Sequence, residues 1–310
     1  MDSYIFLGMV YNKKVVILMS TYNGELYLKE QLDSIFSQDY EDIELLVRDD
    51  GSSDGTIAIL KEYSKKYPNM QYYSGKNLKP AHSFLNLLCK APIADYYALA
   101  DQDDVWVEDK ISSAVSLLEE KHADLYHSNF FMVDSKLTLL ETSRKRNVLT
   151  IGHAAVLFTT TGCTMMISSR LREVVNRYSP KNIIMHDSWL FKIALAFCMP
   201  VVFDDSAHIL YRQHGSNVLG GIGMSFLDKW GARIQDFFNP KCMRSNELRE
   251  LLKGYSSSID VKTKSIIETL ASYKNDSFGK RLLIAFNPAY KTGVFSKDLL
   301  FKISILLKTY

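Results

Sequence analysis

The chain has 310 residues, 47% of them apolar and 23% charged, enough for a core that folds without a metal or disulfide staple. Its net charge of +2 is too small to draw nucleic acid through bulk electrostatics. Four cysteines stand far apart with no C-x-x-C spacing, which argues against a zinc site and for free thiols in a reducing compartment. The longest apolar run, "WLFKIALAFCMPVVF", carries Lys192 and Pro200 and falls short of a membrane span; the first residues lack a basic leader. The expected location is therefore the cytoplasm.

Residues 15–20, "VVILMS", read as a strand that runs into the polar loop "TYNGE". "LYLKEQLDSIFSQ" has helical spacing, "IELLVRDD" is the next strand, and "GSSDGT" is a turn opening a second helix. "MQYYS" is a third strand, "PAHSFLNLLCKA" a helix with Pro80 at its start, and "YYALA" a fourth strand ending in "DQDD". Strands and helices in alternation predict an α/β fold, a doubly wound, mostly parallel sheet. "LYHSNFFMVD" reads as a strand, "AAVLFTTTGCTMMIS" as a strand pair, and "HDSWLFKIALAF" as a helix. "VVFDDSAHILYRQHGSN" reads as two short strands and a loop. From about residue 225, "SFLDKWGARIQDFF", "RSNELRELLKGY", "KTKSIIETLASY", "KRLLIAF" and "FSKDLLFKISILLKTY" predict a C-terminal α-helical extension. The expected division is an α/β domain over 13–222 and a helical extension over 223–310.

Three polar clusters follow strands, so a parallel sheet puts them on its carboxyl edge, where ligands bind. "LADQDDVW" sets Asp101, Asp103 and Asp104 close together, and like charges so close need a partner. One reading is a helix start, with Asp104 as N-cap and Glu108 completing a capping box near Val107. The other is a hard-oxygen site in which Asp101 and Asp103 hold Mg²⁺ or Mn²⁺. Beside it, Asp49 and Asp50 can accept hydrogen bonds from a base or ribose, and Thr21, Tyr22 and Asn23 supply a stacking face and polar groups. No G-x-G-x-x-G or G-x-x-x-x-G-K-[ST] is present, so a dinucleotide or P-loop triphosphate is disfavoured and a nucleoside diphosphate fits better. Arg212 can neutralise a departing diphosphate, and His214 can ligate the same metal.

"VVILMSTYNGELYLKEQLDSIFSQ", "ELLVRDDGSSDGT" and "YALADQDDVW", in that order, resemble the family-2 glycosyltransferases of GT-A fold over about residues 13–220. "DQDDVW", "HDSW" and "YRQHGSN" are similar in particular to the bacterial rhamnosyltransferase-like branch, which builds surface polysaccharides or glycoprotein glycans. The resemblance implies an inverting, metal-dependent transfer from a nucleoside-diphosphate sugar, dTDP-rhamnose or a UDP-hexose, to a glycan hydroxyl. Thr21, Tyr22, Asn23, Asp49 and Asp50 would hold the nucleoside, with Asp101, Gln102 and Arg212 completing the donor site. Asp103 would ligate the metal and His214 complete its shell. Asp187 would be the general base, with His186 where the family often has an acid. Thr161, Gly162 and Cys163, with His186 and Trp189, would wall the acceptor. The chain lacks the Q-x-x-R-W motif of processive members, so it resembles single-addition enzymes.

Two rivals use the same residues. A sugar-nucleotide nucleotidyltransferase would want a basic, glycine-rich loop after the first strand, and "STYNGELYLKEQ" is not one. A non-catalytic nucleotide-sugar-binding scaffold leaves the retained Asp101, Asp103, Asp187 and His214 unexplained. The last segment is basic and apolar together, which suits a peripheral contact at the inner membrane face, a homo-oligomer interface, or simple packing on the core.

Overall fold

The first strand, β1 (Val15–Thr21), reads as an unbroken apolar run because both its faces are buried: Val15, Ile17 and Met19 meet one helical layer, Val16 and Leu18 the other. The computed structural model describes residues 13–143, 150–157, 160–213 and 244–310. Next along the chain come α1 (Leu28–Phe36), β2 (Ile43–Asp49), α2 (Thr56–Lys66), β3 (Met70–Ser74), α3 (Lys79–Lys90) and β4 (Tyr96–Ala100). These four strands are parallel in the order β3-β2-β1-β4. Leu28, Leu32 and Ile35 of α1 and Ile59 and Leu60 of α2 cover one face, while Phe84, Leu87 and Leu88 of α3 cover the other.

The chain continues through β5 (Val105–Trp106), α4 (Lys110–Glu120), β6 (Leu125–Val133), β7 (Leu139–Thr142), α5 (Ile151–Val156), β8 (Met166–Ser168), α6 (Ser169–Val175), α7 (His186–Ala196) and β9 (Val201–Arg212). Here the sheet becomes mixed. β8 is antiparallel to both β4 and β6, β9 is parallel to β6, and β5 and β7 pair antiparallel with β9 and β6. The mostly parallel sheet expected from the sequence therefore holds for the first four strands, and beyond them parallel and antiparallel ladders mix. This topology decides where the site forms. β8 runs against β4 with Met166 opposite Ala98, so the turn just before β8 lands at the carboxyl end of β4. β9 ends on that same edge.

Two local expectations are corrected. Residues 151–156 are helical, because the Thr150 hydroxyl accepts the His153 N–H at 3.2 Å and caps them; Gly162–Thr164 then form a 3₁₀ turn. Val201–Arg212 is one strand, with an irregular register at Ser128 and Asn129 of β6 rather than a break.

Four further helices follow: α8 (Arg244–Tyr255), α9 (Val261–Ser272), α10 (Phe278–Ala285) and α11 (Phe295–Leu306). Leu248, Leu251 and Tyr255 of α8 enter the same hydrophobic cluster as Trp189 and Leu190 of α7. Lys192 of α7 forms a buried ion pair with Glu247 of α8 and donates to Ser188 at 2.7 Å. The expected boundary at 222/223 and the segment "SFLDKWGARIQDFF" lie outside the described residues. Among the described residues, no helix is long and apolar enough to cross a membrane.

Candidate active site

The loops after β1 and β2 are laced together before any ligand arrives. Asn23 takes a left-handed backbone, φ +48°, which lets its N–H reach Ser52 Oγ at 2.8 Å and its Oδ1 accept the Ser53 N–H at 2.9 Å. The Gly24 N–H donates to Thr56 Oγ1 at 2.8 Å and the Glu25 N–H to Asp54 Oδ2 at 3.1 Å. Beneath them Asp49 is buried, and all four of its acceptor positions are used. Oδ2 takes the Gly51 and Ser52 N–H groups at 2.9 and 3.1 Å; Oδ1 takes the Ser52 hydroxyl at 2.5 Å and the Thr21 hydroxyl at a long 3.4 Å. Asp50 is buried in an ion pair with Arg48 and accepts the Leu78 N–H at 2.9 Å. Tyr22 stands half-exposed above this platform.

Gln102 joins the acidic turn to the platform. Its amide accepts the Tyr22 N–H at 2.9 Å and donates to the Tyr22 carbonyl at 3.2 Å, as a strand neighbour would. A residue without Cβ leaves this amide in place, since a Cβ on Gly24 would lie 2.3 Å from Gln102 Oε1 and displace it.

The turn itself is under strain of charge. Ligand atoms of Asp101, Asp104 and Cys163 lie within 4.8 Å of one another, and the 3₁₀ turn before β8 delivers the thiol. Burial pushes the Asp101 carboxyl up to about 7, and the charges of Asp103 and Asp187 push the same way. Burial also raises Asp104 well above the carboxylate range, with Asp103 and Asp101 adding to it. The Cys163 thiol is likewise pushed up by burial and by both acids, so it stays a thiol and hydrogen-bonds into the cluster. Asp104 Oδ1 accepts the Arg212 N–H at 3.1 Å, while its buried Oδ2 meets no nitrogen or hydroxyl donor among the described residues. Asp187 opens α7, where the helix dipole favours a carboxylate, and its Oδ1 accepts the Ser188 N–H at 2.7 Å. Carboxylates from the turn and from α7 thus share one electrostatic centre, in which Asp104 Oδ2 has no nitrogen or hydroxyl donor among the described residues. That is a donor set a hard divalent cation would satisfy.

The sequence profile described as Glycosyl transferase family 2 matches residues 16–191. The chain belongs to this family. It is 30% identical over 225 residues to the dTDP-rhamnosyl transferase RfbG of Shigella flexneri, covering 68% of this chain and 76% of that protein. An uncharacterized glycosyltransferase of Haemophilus influenzae is 30% identical over 141 residues, 44% of this chain and 56% of that one. Two solved structures share the architecture. S. aureus TarS 1–349 in complex with UDP-GlcNAc has a TM-score of 0.58 at 16% identity over 95% of this chain and 91% of its own. The mannosyltransferase PcManGT of Pyrobaculum calidifontis, in complex with GDP-Man and Mn²⁺, has 0.57 at 17% over 97% and 89%. The fold is GT-A, and the chain is a glycosyltransferase.

Within this family-2 frame several residues sit differently from the sequence expectation. Asp104 is not a helix cap: α4 begins only at Lys110, and Asp104 instead closes on the backbone of β9. Arg212 does not face a leaving group. It is 1% exposed, with its guanidinium on the Asp103 carbonyl at 2.9 Å, the Ser135 carbonyl at 2.6 Å and Glu30 at 2.5 Å, stacked over Tyr27. It braces the acidic turn from behind. His186 is buried with its ring stacked 4.0 Å from Phe84 and Nε2 against the Gly162 backbone, and burial drops it to about 3, so it is a neutral packing group. Trp189 is fully buried against Tyr255 and belongs to the core, not to an acceptor wall. His214 lies outside the described residues. Thr161 is partly exposed at the mouth of the turn, whereas Gly162 and Cys163 are buried.

Sequence reading missed Lys110. Its Nζ is buried 3.9 Å above the Trp106 ring; burial lowers it to about 8, while Cys163 and Asp104 pull it back up. The only signal was a lysine at an inward position of the stripe Ile111, Ala114, Val115 and Leu118. The set of Asp101 with Asp104 and Cys163 was also invisible, because it needs the antiparallel return of β8.

Proposed function

We propose that this glycosyltransferase moves a sugar, with inversion, from a nucleoside-diphosphate sugar to a hydroxyl of a growing bacterial surface glycan, lipid- or protein-linked. The observation that carries this reading is the meeting of Asp101, Asp103 and Asp104 with Asp187 at one charged centre. Asp101, Asp103 and Asp104 would hold Mn²⁺ or Mg²⁺. When bound, the cation would neutralise diphosphate charge. Thr21, Tyr22 and Asn23 frame the nucleoside, and Asp49 can exchange its long 3.4 Å contact with Thr21 for a base N–H. Asp187 takes the proton of the acceptor hydroxyl as that oxygen attacks the anomeric carbon opposite the leaving diphosphate. Thr161 borders the acceptor's approach. The identity to RfbG favours dTDP-rhamnose as donor, with a UDP-hexose next.

The test is a panel of dTDP-, UDP- and GDP-sugars with Mn²⁺ or Mg²⁺, following released nucleoside diphosphate. Metal-dependent release from one donor, lost in Asp103→Ala, is the expected result. Release of pyrophosphate from a nucleoside triphosphate would overturn it in favour of a nucleotidyltransferase.

A further inference from the structure

The C-terminal helices α10 and α11 are apolar on two sides. Their inner sides are anchored: Ile284 and Ala285 are buried, and Phe301 packs on Tyr290 and Tyr310 at 5.5 and 5.4 Å between ring centroids. Their outer sides carry large side chains that remain exposed among the described residues. On α10 and its C-cap, Phe278, Leu282 and Phe286 recur every four residues, with Phe286 62% exposed. On α11, Phe295, Leu299, Ile303 and Leu307 repeat the same spacing, with Phe295 82% exposed. The helices pack on each other, and Lys302 of α11 lies 4.5 Å over the Phe286 ring, so the two stripes form one surface. Apolar side chains grouped this way mark an interaction site.

Charge identifies the occupant. Residues 276–310 carry six Lys or Arg against two Asp, whereas the other 275 residues hold two more acids than bases. Lys280, Lys297 and Lys308 are exposed beside the stripes, long enough to reach outward while their stems lie along apolar surface. A second copy of this surface would meet it with like charge. We propose that the outer face of α10 and α11 docks on an anionic bilayer surface, its phenylalanine and leucine side chains in the headgroup boundary and its lysines on the lipid phosphates. This stands apart from the transfer reading and needs neither donor nor metal.

The experiment is sedimentation of the full chain with vesicles of phosphatidylcholine alone or mixed equally with phosphatidylglycerol, across a salt series. The expected result is binding to the anionic vesicles only, weakening as salt rises. Lys297→Gln/Lys302→Gln/Lys308→Gln should weaken partitioning on the order of a hundredfold, about fivefold per charge. Phe286→Ser/Leu299→Ser should abolish binding with the melting transition intact, since both side chains are outside the core. Equal binding to both vesicles, or none to either, would overturn the proposal. So would a dimer, seen by light scattering, that Phe286→Ser/Leu299→Ser dissolves. Vesicle binding without sugar-nucleotide turnover would leave this inference standing and sink the transfer reading alone.

Discussion

The two halves of the site are built on opposite principles. The Asn23–Glu25 and Asp49–Thr56 loops are finished: Asp49 has four donors, Asp54 has three, and Asp50 is paired with Arg48. The Asp101–Asp104 turn is unfinished: its acids repel, and Asp104 Oδ2 has no nitrogen or hydroxyl donor among the described residues. A satisfied network gives shape and an unsatisfied one gives affinity. The first can present a base-binding platform in the absence of ligand. The second holds carboxylates together at a cost that a cation removes.

The largest effect should come from the helix that faces the unfinished half. Asp187→Ala should cut transfer by about 10²–10⁴-fold while nucleotide affinity, followed by calorimetry, stays the same. If transfer survives, the base lies elsewhere. The sharpest test of the contrast is a pair with opposite signs. Asp49→Ala should destabilise the protein by roughly 2–3 kcal/mol in urea, since it strands buried donors. Asp101→Asn should stabilise the metal-free protein, by about 1 kcal/mol or more, since it removes an opposed charge. It should also abolish Mn²⁺-dependent nucleotide binding. Two destabilisations of equal size would erase the distinction.

The pH dependence follows from the same charge. Folded Asp101 keeps its proton up to about 7, whereas an unfolded Asp loses it at about 4. The folded state therefore binds more protons between these values, and metal-free stability falls as pH rises through that window. The slope is at most about 1.4 kcal/mol per pH unit for this one proton. Melting curves at saturating Mn²⁺ should be flatter, because the cation replaces the proton. The smallest effect is at the joint between the halves. Gly24→Ala would push Gln102 off Tyr22, costing about 1 kcal/mol for two partly exposed hydrogen bonds and raising KM for the donor more than it lowers kcat.

What could be read from the sequence follows this division. The platform residues are contiguous in two short loops after apolar strands, and parallel topology alone brings such loops to one edge, so Thr21–Asn23 and Asp49–Asp50 were legible. Burial was not: nothing in "VRDDGSSDGT" tells that Arg48 takes Asp50. The unfinished half assembles from residues 101–104, 110, 163, 187 and 212, joined by one antiparallel strand and one long return strand. Charge type alone could nominate Asp187 and Arg212, but only packing decides that one faces the acids while the other backs them.

The buried Lys192–Glu247 pair has a hereditary consequence. Glu247 is on α8, and Lys192 is on the helix that begins with Asp187. Glu247→Ala in the full chain would remove the carboxylate that pairs with buried Lys192, a loss of about 3–5 kcal/mol. Recombination that trades one C-terminal segment for another is therefore expected to keep an acid opposite Lys192, five residues along α7 from Asp187, the proposed base. The tail and the helix that carries Asp187 are thus coupled, and an exchange of tails is expected to succeed only between chains that carry both ends of that pair.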